Sequence, residues 1–529
     1  MQTTADVLIV GAGPVGLLLA TLLAREGVDV CIVDRMRERT EFCKALGVTA
    51  RTLEVFDDIG IVDAAIEAGV WLKGVSFYNN GIPGDTMNVP ATDLLPYGAL
   101  SLAQSETERL LEAALGRHAH KVQYGWALDE LTDTPDRVEV RLQSREGKRH
   151  DLVCRWVVGC DGAHSRVRSS IGMPFDGGQF PQTFALADLD VAWSLPRGFM
   201  YRFNLAGSGG NPRTLAAIPI RGSAQRYRLS TVLPDDYAAN DTAAERAPDF
   251  DMIEHTMRPL LPEGTSLSSM RWSSVYRVSH RIVPQYRKAH VFLAGDAAHI
   301  HPPVGGQGMN TGLQDAYNLA WKLALVLQGR AAPALLDSYS AERHPVGLDV
   351  VRDTHAAMNE VLAQQARLPG VRETQLLVGY RGSPHVRDDA ASVDPAWPAP
   401  GDRAPDADHL RRPFVGHTIR LHDHLTRGRH VLLAYPGTIE AAQGFVPIVD
   451  TLRAVFGHTV SGVVILPAGV DALAIEGVTV LTDDSGTFAR EYGATAGMVW
   501  LVRPDGHIGW RALAPSRAQL AAYLSGSAH

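Results

Sequence analysis

The pattern of apolar and polar positions near the start of the chain alternates between strand and helix periodicity. An apolar run at residues 7–10 is followed by a glycine turn, an amphipathic stretch at residues 17–26 and a second apolar run at residues 30–33. This order predicts a βαβ unit with a parallel sheet. Further along, residues 98–120 predict a helical region, and the apolar run at residues 153–159 predicts another strand.

The texture of the chain changes between Phe184 and His280, where short alternating segments are separated by Gly, Pro and Asn turns. This pattern predicts an inserted antiparallel sheet. One of its strands carries Phe199, Tyr201 and Phe203 on a single face. A buried sheet face explains this aromatic alternation more simply than a ligand pocket does, although the same face could line a pocket for an aromatic ring.

The α/β pattern returns after this sheet, with an apolar strand at residues 291–293, a Gly/Pro loop through Gly308 and a long helix over about residues 311–327. Residues 383–404 are rich in Pro, Asp and Ala and predict a linker. The rest of the chain contains no cysteine, which excludes dithiol exchange there. The pattern of apolar positions after residue 404 predicts a separate small α/β domain, with strands at residues 431–434, 463–466 and 498–502 and an amphipathic last helix.

Composition narrows the class of protein. The 529 residues are 45% hydrophobic and 20% charged, and no apolar run reaches the length of a membrane span, so two or three soluble domains are expected. The net charge of -8 argues against nucleic-acid binding, which depends on Lys and Arg neutralising phosphates. The first apolar run ends in glycines rather than a cleavage site, and the four cysteines form no CxxC pair, so a cytoplasmic protein is expected.

The segment GAGPVG, residues 11–16, follows a predicted strand and opens a predicted helix. In such a motif Gly11 permits a tight turn, Gly13 lets a pyrophosphate approach the backbone, and Gly16 lets the helix pack on the strand. Asp34, at the end of the second strand, has the spacing expected of a ribose ligand. These features together indicate a dinucleotide site, but they leave the choice between NAD and FAD open.

Two later segments carry further polar turns. The sequence CDGAHSRVR, residues 160–168, is an Asp-Gly turn before a basic helix start, and by itself such a turn is common. In LAGDAAHIHPPVGGQGMN, residues 293–310, a strand delivers Asp296 to a turn, and a loop with little side-chain bulk leads into a helix. Backbone N–H groups and a helix N-terminus in such a loop could approach a flat, electron-accepting ring and stabilise the negative charge it gains on reduction.

With these three motifs in this order, the chain resembles the single-component FAD-dependent aromatic hydroxylases, the family of para-hydroxybenzoate hydroxylase and phenol hydroxylase. The resemblance spans roughly residues 5–350, and the longest motif, LAGDAAHIHPPVGGQGMNTGLQDAYNLAWKLA, is close to diagnostic. The chain looks most like the longer phenol and polyketide hydroxylases. The resemblance therefore implies an α/β protein with a Rossmann-like FAD-binding domain, an inserted antiparallel-sheet substrate domain and a thioredoxin-like C-terminal domain.

The resemblance also implies domain bounds. The FAD-binding domain is expected at residues 1–75, 98–182 and 282–390, the substrate domain at 76–97 and 183–281, and the C-terminal domain, without CxxC, at 400–529. The implied activity is a monooxygenase that hydroxylates a phenolic or related aromatic ring with NAD(P)H and O2, through a flavin C4a-hydroperoxide. A reductase or halogenase of the same fold and a non-catalytic FAD-binding sensor are the alternatives. A homodimer is a further expectation.

Carried over position by position, the resemblance implies non-covalent FAD binding. Asp34 with Arg35 would hold the adenosine, Asp161 would support the pyrophosphate region, and Arg166 would face the NAD(P)H approach. The full set of implied cofactor-binding residues is Gly11, Gly13, Pro14, Gly16, Asp34, Arg35, Lys44, Gln104, Asp161, Gly295, Asp296, Pro303, Gly306, Gly308, Met309 and Asn310. The candidate residues of the substrate pocket are Leu46, Tyr201, Phe203 and Pro303.

Two departures from the family pattern limit this transfer. Lys44 stands where many relatives have Arg, which keeps the charge but loses the bidentate fork. Leu46 aligns with an active-site Asp of phenol hydroxylase, so the group that deprotonates a phenol cannot be transferred. His299 and His301 lack further ligands nearby in sequence, and no metal site is expected.

Overall fold

The computed structural model describes residues 2–40, 45–89, 95–206, 213–233, 247–365, 370–390, 393–394, 396–425, 428–457, 460–471 and 473–528. The chain divides into two compact units. The first contains Met1–Thr21, Val30–Ala316 and Pro345–Gln375, and the second contains Leu22–Asp29, Tyr317–His344 and Leu376–His529. No helix in the described part of the chain is long and apolar enough to cross a membrane.

A parallel sheet forms the centre of the first unit. Thr4–Val10 lies between Val30–Asp34 and Arg149–Gly159, and Val291–Leu293 extends the sheet beyond Arg149–Gly159. Three of these strands, Thr4–Val10, Val30–Asp34 and Val291–Leu293, are largely apolar because both faces of a parallel sheet are covered. The sheet is completed by Gln123–Tyr124, Trp126–Asp133, Val138–Ser144 and Arg287–Lys288.

An eight-stranded, mainly antiparallel sheet forms the other half of the first unit. One face, with Ala185, Tyr201, Phe203 and Leu229, packs on the helix Phe250–Met257. In sheet order its strands are His299–Ile300, Ser266–Ile282, Asp176–Ala192, Arg226–Val232, Arg213–Pro219, Phe199–Leu205, Gly74–Asn79 and Ile82–Asn88. A small third sheet joins Gly47–Val48, Ala99–Ser101 and Val70–Leu72.

The helices begin where the sequence supplies caps or compatible first turns. Thr49 accepts a hydrogen bond from the Thr52 amide at the start of Ala50–Asp58, and Asp249 accepts one from the Met252 amide. Other helices wholly in the first unit are Val62–Ala68, Gln104–Gly116 and Arg166–Ser170. Three helices have residues in both units, namely Pro14–Arg25, Gln307–Leu327 and Asp337–Leu362.

The second unit has its own sheet, built around the buried strands Val431–Tyr435 and Met498–Val502. Their side chains, including Trp500, form an apolar core with Phe488 and Tyr492 of a neighbouring helix. The remaining strands are Arg387–Asp389, Leu410–Arg411, Thr418–Ile419, Ser461–Pro467, Thr479–Asp483 and Ile508–Leu513. The helices of this region are His422–Leu425, Ile439–Gln443, Val446–Phe456, Thr487–Tyr492 and Arg517–Ala528.

A buried group of charges lies inside the second unit. Lys322 and Arg503 both donate to Glu342, and Arg503 also donates to Asp505. Asn318 donates to both carboxylates. Burial raises the pKa of Glu342, but the charges of Arg503 and Lys322 outweigh this effect and hold that pKa well below its ordinary value. We call these five residues the charge cluster.

The structure corrects three predictions of secondary structure. The expected helical region at 98–120 begins with the strand Ala99–Ser101, and the helix expected from about residue 311 begins one turn earlier, at Gln307. The expected linker contains the strand Arg387–Asp389, which pairs with Ile508–Leu513. Its acidic residues resemble a linker in sequence, but Arg511 and the Trp510 indole hold them by hydrogen bonds.

Candidate functional site

The turns that follow three neighbouring parallel strands meet at the carboxyl edge of the parallel sheet. A Cβ atom at Gly11 would overlap the Cys160 backbone, and one at Gly295 would lie 2.9 Å from Val15. One at Gly312 would lie 2.8 Å from the same Val15 methyl. The three sequence motifs therefore form one site, at the edge where doubly wound sheets bind ligands.

The glycine loop, residues 11–16, has the geometry of a pyrophosphate cradle. Gly11 has a φ of 105°, which favours glycine, and a side chain on Gly16 would overlap the Gly11 carbonyl. A Cβ on Gly13 would meet no described atom within 4 Å. The backbone at Gly13 is thus open to a ligand, whereas Gly11 and Gly16 must be glycines for the loop to pack. Pro14 is the first residue of the helix, where its missing N–H costs no hydrogen bond.

Asp34 holds the glycine loop from the neighbouring strand. One carboxylate oxygen accepts from the Ala12 amide at 2.8 Å, and the other accepts from the Met36 amide at 2.8 Å. Arg35 beside it is exposed. Asp34 is therefore a structural part of the loop as well as a candidate ribose ligand.

Gln104 is the first residue of its helix and donates to Glu108 at 2.8 Å. Burial raises the pKa of Glu108 to about 7, although the hydrogen bond from Gln104 lowers it. Lys44, the remaining candidate of this region, lies outside the described residues. Glu108 was not identified from the sequence, because nothing in the pattern of its helix distinguishes this buried glutamate from the half-buried ones.

Asp161 caps the short helix that follows its own strand. Its carboxylate accepts from the Ser165 hydroxyl at 2.5 Å and from the amides of Arg166 and Val167 at 2.6 and 3.1 Å. Burial raises the pKa of Asp161 against the effect of these bonds. The Arg166 guanidinium is exposed and donates to the Asp129 carbonyl at 3.4 Å. The role of Asp161 seen in the structure is to shape the turn.

Gly295 and Asp296 form a turn directly after their strand, and Asp296 is exposed. The Gly295 amide donates to buried Asp315 at 3.1 Å, and His299 Nε2 lies 2.8 Å from the same carboxylate oxygen. Asp315 thus fixes the turn and the histidine together. Asp315 belongs to the diagnostic motif, but its local sequence gave no sign of these contacts.

The segment of residues 302–310, which we call the Pro-Gly loop, contains a tight turn with Gly305 and Gly306 at positive φ. Pro303 accepts from the Gly306 amide, and Gly308 and Met309 lie in the first turn of the helix Gln307–Leu327. The Asn310 side chain donates to the carbonyls of Gly306 and Gly47 at 2.6 and 2.9 Å and accepts from the Thr49 amide at 3.1 Å. Asn310 therefore ties the loop to the small third sheet.

His301 directly precedes the Pro-Gly loop, and one of its ring nitrogens is hydrogen-bonded. Its Nδ1 lies 3.0 Å from the Pro302 carbonyl, which makes Nδ1 the donor. Burial lowers the pKa of His301 to about 4, so the ring is neutral at physiological pH and Nε2 carries a lone pair. His301 is thus a half-buried, uncharged neighbour of the loop.

The candidate pocket residues on the antiparallel sheet point away from this site. Tyr201 and Phe203 are each 2% exposed and belong to the core under the helix Phe250–Met257. The opposite sheet face carries Phe184 and Tyr276, whose rings stack with centroids 5.5 Å apart. Val304 of the Pro-Gly loop packs in the same cluster. Leu46 is buried, and its carbonyl accepts from the Leu102 amide.

Phe184 and Tyr276 were not singled out from the sequence. Alternation shows that a strand has two faces, but both faces of this strand pair carry apolar residues, so periodicity alone cannot tell which one meets the Pro-Gly loop. Only the register of Phe184 opposite Tyr276, together with Val304, identifies it.

Comparison with known proteins agrees with this geometry. Residues 4–354 match the family model described as FAD binding domain, and residues 397–526 match the aromatic-ring hydroxylase C-terminal model. Pentachlorophenol 4-monooxygenase of Sphingobium chlorophenolicum is 32% identical over 96% of this chain and 94% of its own.

A second curated relative is the 12-dehydrotetracycline 5-monooxygenase/anhydrotetracycline 6-monooxygenase of Streptomyces rimosus subsp. rimosus. It is 33% identical over 96% of this chain and 95% of its own. Among solved structures, aklavinone-11 hydroxylase in its ternary complex with FAD and aklavinone has a TM-score of 0.79 and 27% identity, covering 99% of both chains. The family, the fold class with its thioredoxin-like C-terminal domain, and FAD as cofactor are confirmed. The chain belongs to the FAD-dependent aromatic hydroxylases, in the branch of the longer phenol and polyketide hydroxylases, and it is an aromatic-ring monooxygenase.

Proposed function

We propose that the aromatic substrate lies between the Pro-Gly loop and the sheet face that carries Phe184 and Tyr276. The observation that supports this most directly is the apolar cluster in which Phe184 and Tyr276 pack together with Val304 of the loop. An aromatic wall offers a planar ring edge-to-face or offset stacking. The Tyr276 hydroxyl, 3.2 Å from the Ser230 hydroxyl, adds a polar group at that wall.

Two arginines on this face are paired with carboxylates, which favours a phenolic substrate without a carboxylate beside them. Arg228 donates two hydrogen bonds to Asp188, at 2.6 and 2.7 Å, and Arg226 donates two to Asp190, at 2.8 and 3.0 Å. Both guanidinium groups are thus already neutralised by bidentate pairs. The names of the relatives, which refer to pentachlorophenol and anhydrotetracycline, agree with a hydroxylated ring rather than an aromatic acid as substrate.

The cofactor roles of the site residues are also proposals. We assign the pyrophosphate to the backbone at Gly13, the adenosine ribose to Asp34, and the ribityl side to Gln104 and Asp296. The backbone from Pro303 to Asn310 would border the isoalloxazine ring, with the N-terminus of the helix Gln307–Leu327 stabilising negative charge there. The support for this assignment is that Gly13 is open and lies where the three turns meet.

In the reaction, FAD supplies the transfer of electrons from NAD(P)H to oxygen and of one oxygen atom to the ring. The protein orients the substrate against Phe184 and Tyr276. An ionised phenol is the better nucleophile, so a proton must leave the substrate hydroxyl. The neutral ring of His301 keeps a positive charge away from the Pro-Gly loop at physiological pH.

Four finer points rest on the family and the sequence alone. We propose that Arg166 faces the approaching NAD(P)H, that O2 is the second substrate, and that the protein is a cytoplasmic homodimer. We also propose that residues 76–97 and 183–281 act as the substrate domain, residues 1–75, 98–182 and 282–390 as the FAD-binding domain, and residues 400–529 as the C-terminal domain.

The test is NAD(P)H oxidation and oxygen uptake by the FAD-loaded protein with a panel of phenols, naphthols and polycyclic phenols. A matching substrate is expected to raise NAD(P)H oxidation about 10-fold, the change that about 1.4 kcal/mol produces. Benzoic acids of the same ring size are expected to be poorer. A panel in which hydroxybenzoates are the best substrates would contradict the proposed pocket.

A further inference from the structure

Gln375 lies directly behind the Pro-Gly loop in an uncommon conformation. It follows the short 3-10 helix Val371–Thr374 and has φ 59° and ψ 14°, in the left-handed region. The residue is 3% exposed. A side chain in this region costs on the order of 1 kcal/mol unless other contacts fix it.

Two hydrogen bonds fix Gln375 to the helix that begins in the loop. Gln314 Nε2 donates to Gln375 Oε1 at 2.6 Å, and Gln375 Nε2 donates to Thr311 Oγ1 at 2.9 Å. Thr311 Oγ1 in turn donates to the Gln307 carbonyl at 2.9 Å. Because the Thr311 hydroxyl uses its proton on Gln307, its oxygen must accept from Gln375, which fixes the orientation of the amide.

The same segment covers the other end of the loop. The Glu373 carboxylate accepts from the Gly370 amide at 2.7 Å. A Cβ on Gly305 would lie 3.3 Å from Glu373 Cγ, so the Glu373 stem packs directly over that glycine. The segment of residues 370–375 therefore contacts the turn at Gly305 and braces the helix start at Gln307.

We propose that Gln375 is a positioning residue that sets the conformation of the Pro-Gly loop and, through it, the position of the flavin ring relative to the substrate. A loop with two positive-φ glycines has several backbone conformations of similar energy. The connection from Gln375 through Thr311 to Gln307 selects one of them. This inference rests on the proposed placement of the flavin by the Pro-Gly loop.

The structure offers a matched control for Gln375. Gln364 also has a left-handed backbone, with φ 58°, and its amide also donates two hydrogen bonds. Its acceptors are the carbonyls of Leu205 and Arg213, at 3.1 and 2.8 Å, on the antiparallel sheet. Replacing either glutamine removes two hydrogen bonds at a strained position, but only Gln375 is connected to the loop.

The test compares Gln375→Gly with Gln364→Gly in the full-length protein. Glycine keeps the left-handed backbone without strain and removes the side chain. For Gln375→Gly we expect about 10-fold weaker FAD binding, the loss typical of one or two hydrogen bonds, together with a changed visible spectrum of the bound flavin. We also expect more NAD(P)H consumed per product formed. Gln364→Gly should leave the flavin spectrum and this ratio unchanged.

Thr311→Val breaks the same connection from the helix side and serves if Gln375→Gly does not fold. The inference is overturned if both loop-side variants keep the wild-type spectrum and ratio, or if Gln364→Gly changes them equally. Asp296→Ala tests the proposed flavin placement separately. If it weakens FAD binding while the Gln375 and Thr311 variants behave as wild type, only the role of Gln375 fails.

Discussion

Arg503 donates both terminal guanidinium nitrogens to Glu342, at 2.7 and 2.9 Å, and both side chains are at most 1% exposed. Lys322 donates to the same carboxylate at 2.7 Å. The Glu342 carboxylate thus accepts from two buried cations, and Asp505 supplies a second negative charge beside Arg503. Such a group contributes little when intact but is costly to break, because the remaining charges stay buried without compensation.

Glu342→Gln should therefore destabilise the protein by about 3–5 kcal/mol, the usual cost of leaving a buried charge unpaired. The measurement is equilibrium urea unfolding. Asp402→Asn is the control, because Asp402 receives two hydrogen bonds from exposed Arg381 and is itself only half-buried. That change should cost about 1 kcal/mol or less. Equal losses in the two variants would show that the charge cluster is not energetically special.

Asp296→Ala should weaken FAD binding by about 1–3 kcal/mol, the range of a charge-assisted hydrogen bond, with little loss of fold stability. Asp296 is exposed at its turn, whereas Asp34 holds the glycine loop through two backbone amides. Asp34→Ala is accordingly expected to lower both FAD affinity and the thermal unfolding temperature. Fluorescence titration of apoprotein with FAD gives the affinities, and an unchanged affinity for Asp296→Ala would remove this carboxylate from the site.

Tyr276→Phe should raise KM for the phenolic substrate about 5-fold, the effect of losing about one hydrogen bond at the proposed substrate wall. Tyr201→Phe is the matched control on the opposite sheet face, where the Tyr201 hydroxyl donates to the Pro196 carbonyl. It should lower stability without changing KM. Steady-state oxygen uptake gives KM for both variants. The proposed face would be wrong if Tyr201→Phe alone changed KM.

Glu108 should make the protein less stable as the pH rises. Burial raises its pKa from 4.5 to about 7, so the folded state holds a proton that the unfolded state releases. This contribution is fully present below pH 4.5 and is lost as the pH rises to about 7. Glu108→Gln should remove this pH dependence and keep the acceptor for Gln104. Urea unfolding at pH 5 and pH 8 tests it, and identical pH dependence in both proteins would contradict the assignment.

The sequence predicted those features that depend on local pattern. The buried strands Val30–Asp34 and Val291–Leu293 are short apolar runs. The glycines of the glycine loop have the spacing that a tight strand-to-helix turn requires. Features that depend on distant partners were not predictable. Gln375 reaches Thr311 across 64 residues, and the acidic residues of Arg387–Asp389 resemble a linker until Arg511 is seen beside them.

The charge cluster limits how this protein can be recombined with its relatives. Glu342 and Lys322 belong to the helices before the C-terminal sheet, while Arg503 and Asp505 belong to the turn after the strand Met498–Val502. A chimera joined near residue 400 that lacks an arginine and an aspartate at these two positions would leave Glu342 and Lys322 paired only with each other, and the Glu342 carboxylate would lose both hydrogen bonds from Arg503. The exchangeable module is therefore the helix pair together with the C-terminal sheet, and a successful crossover point lies upstream of Asn318 or preserves the Arg-Pro-Asp sequence.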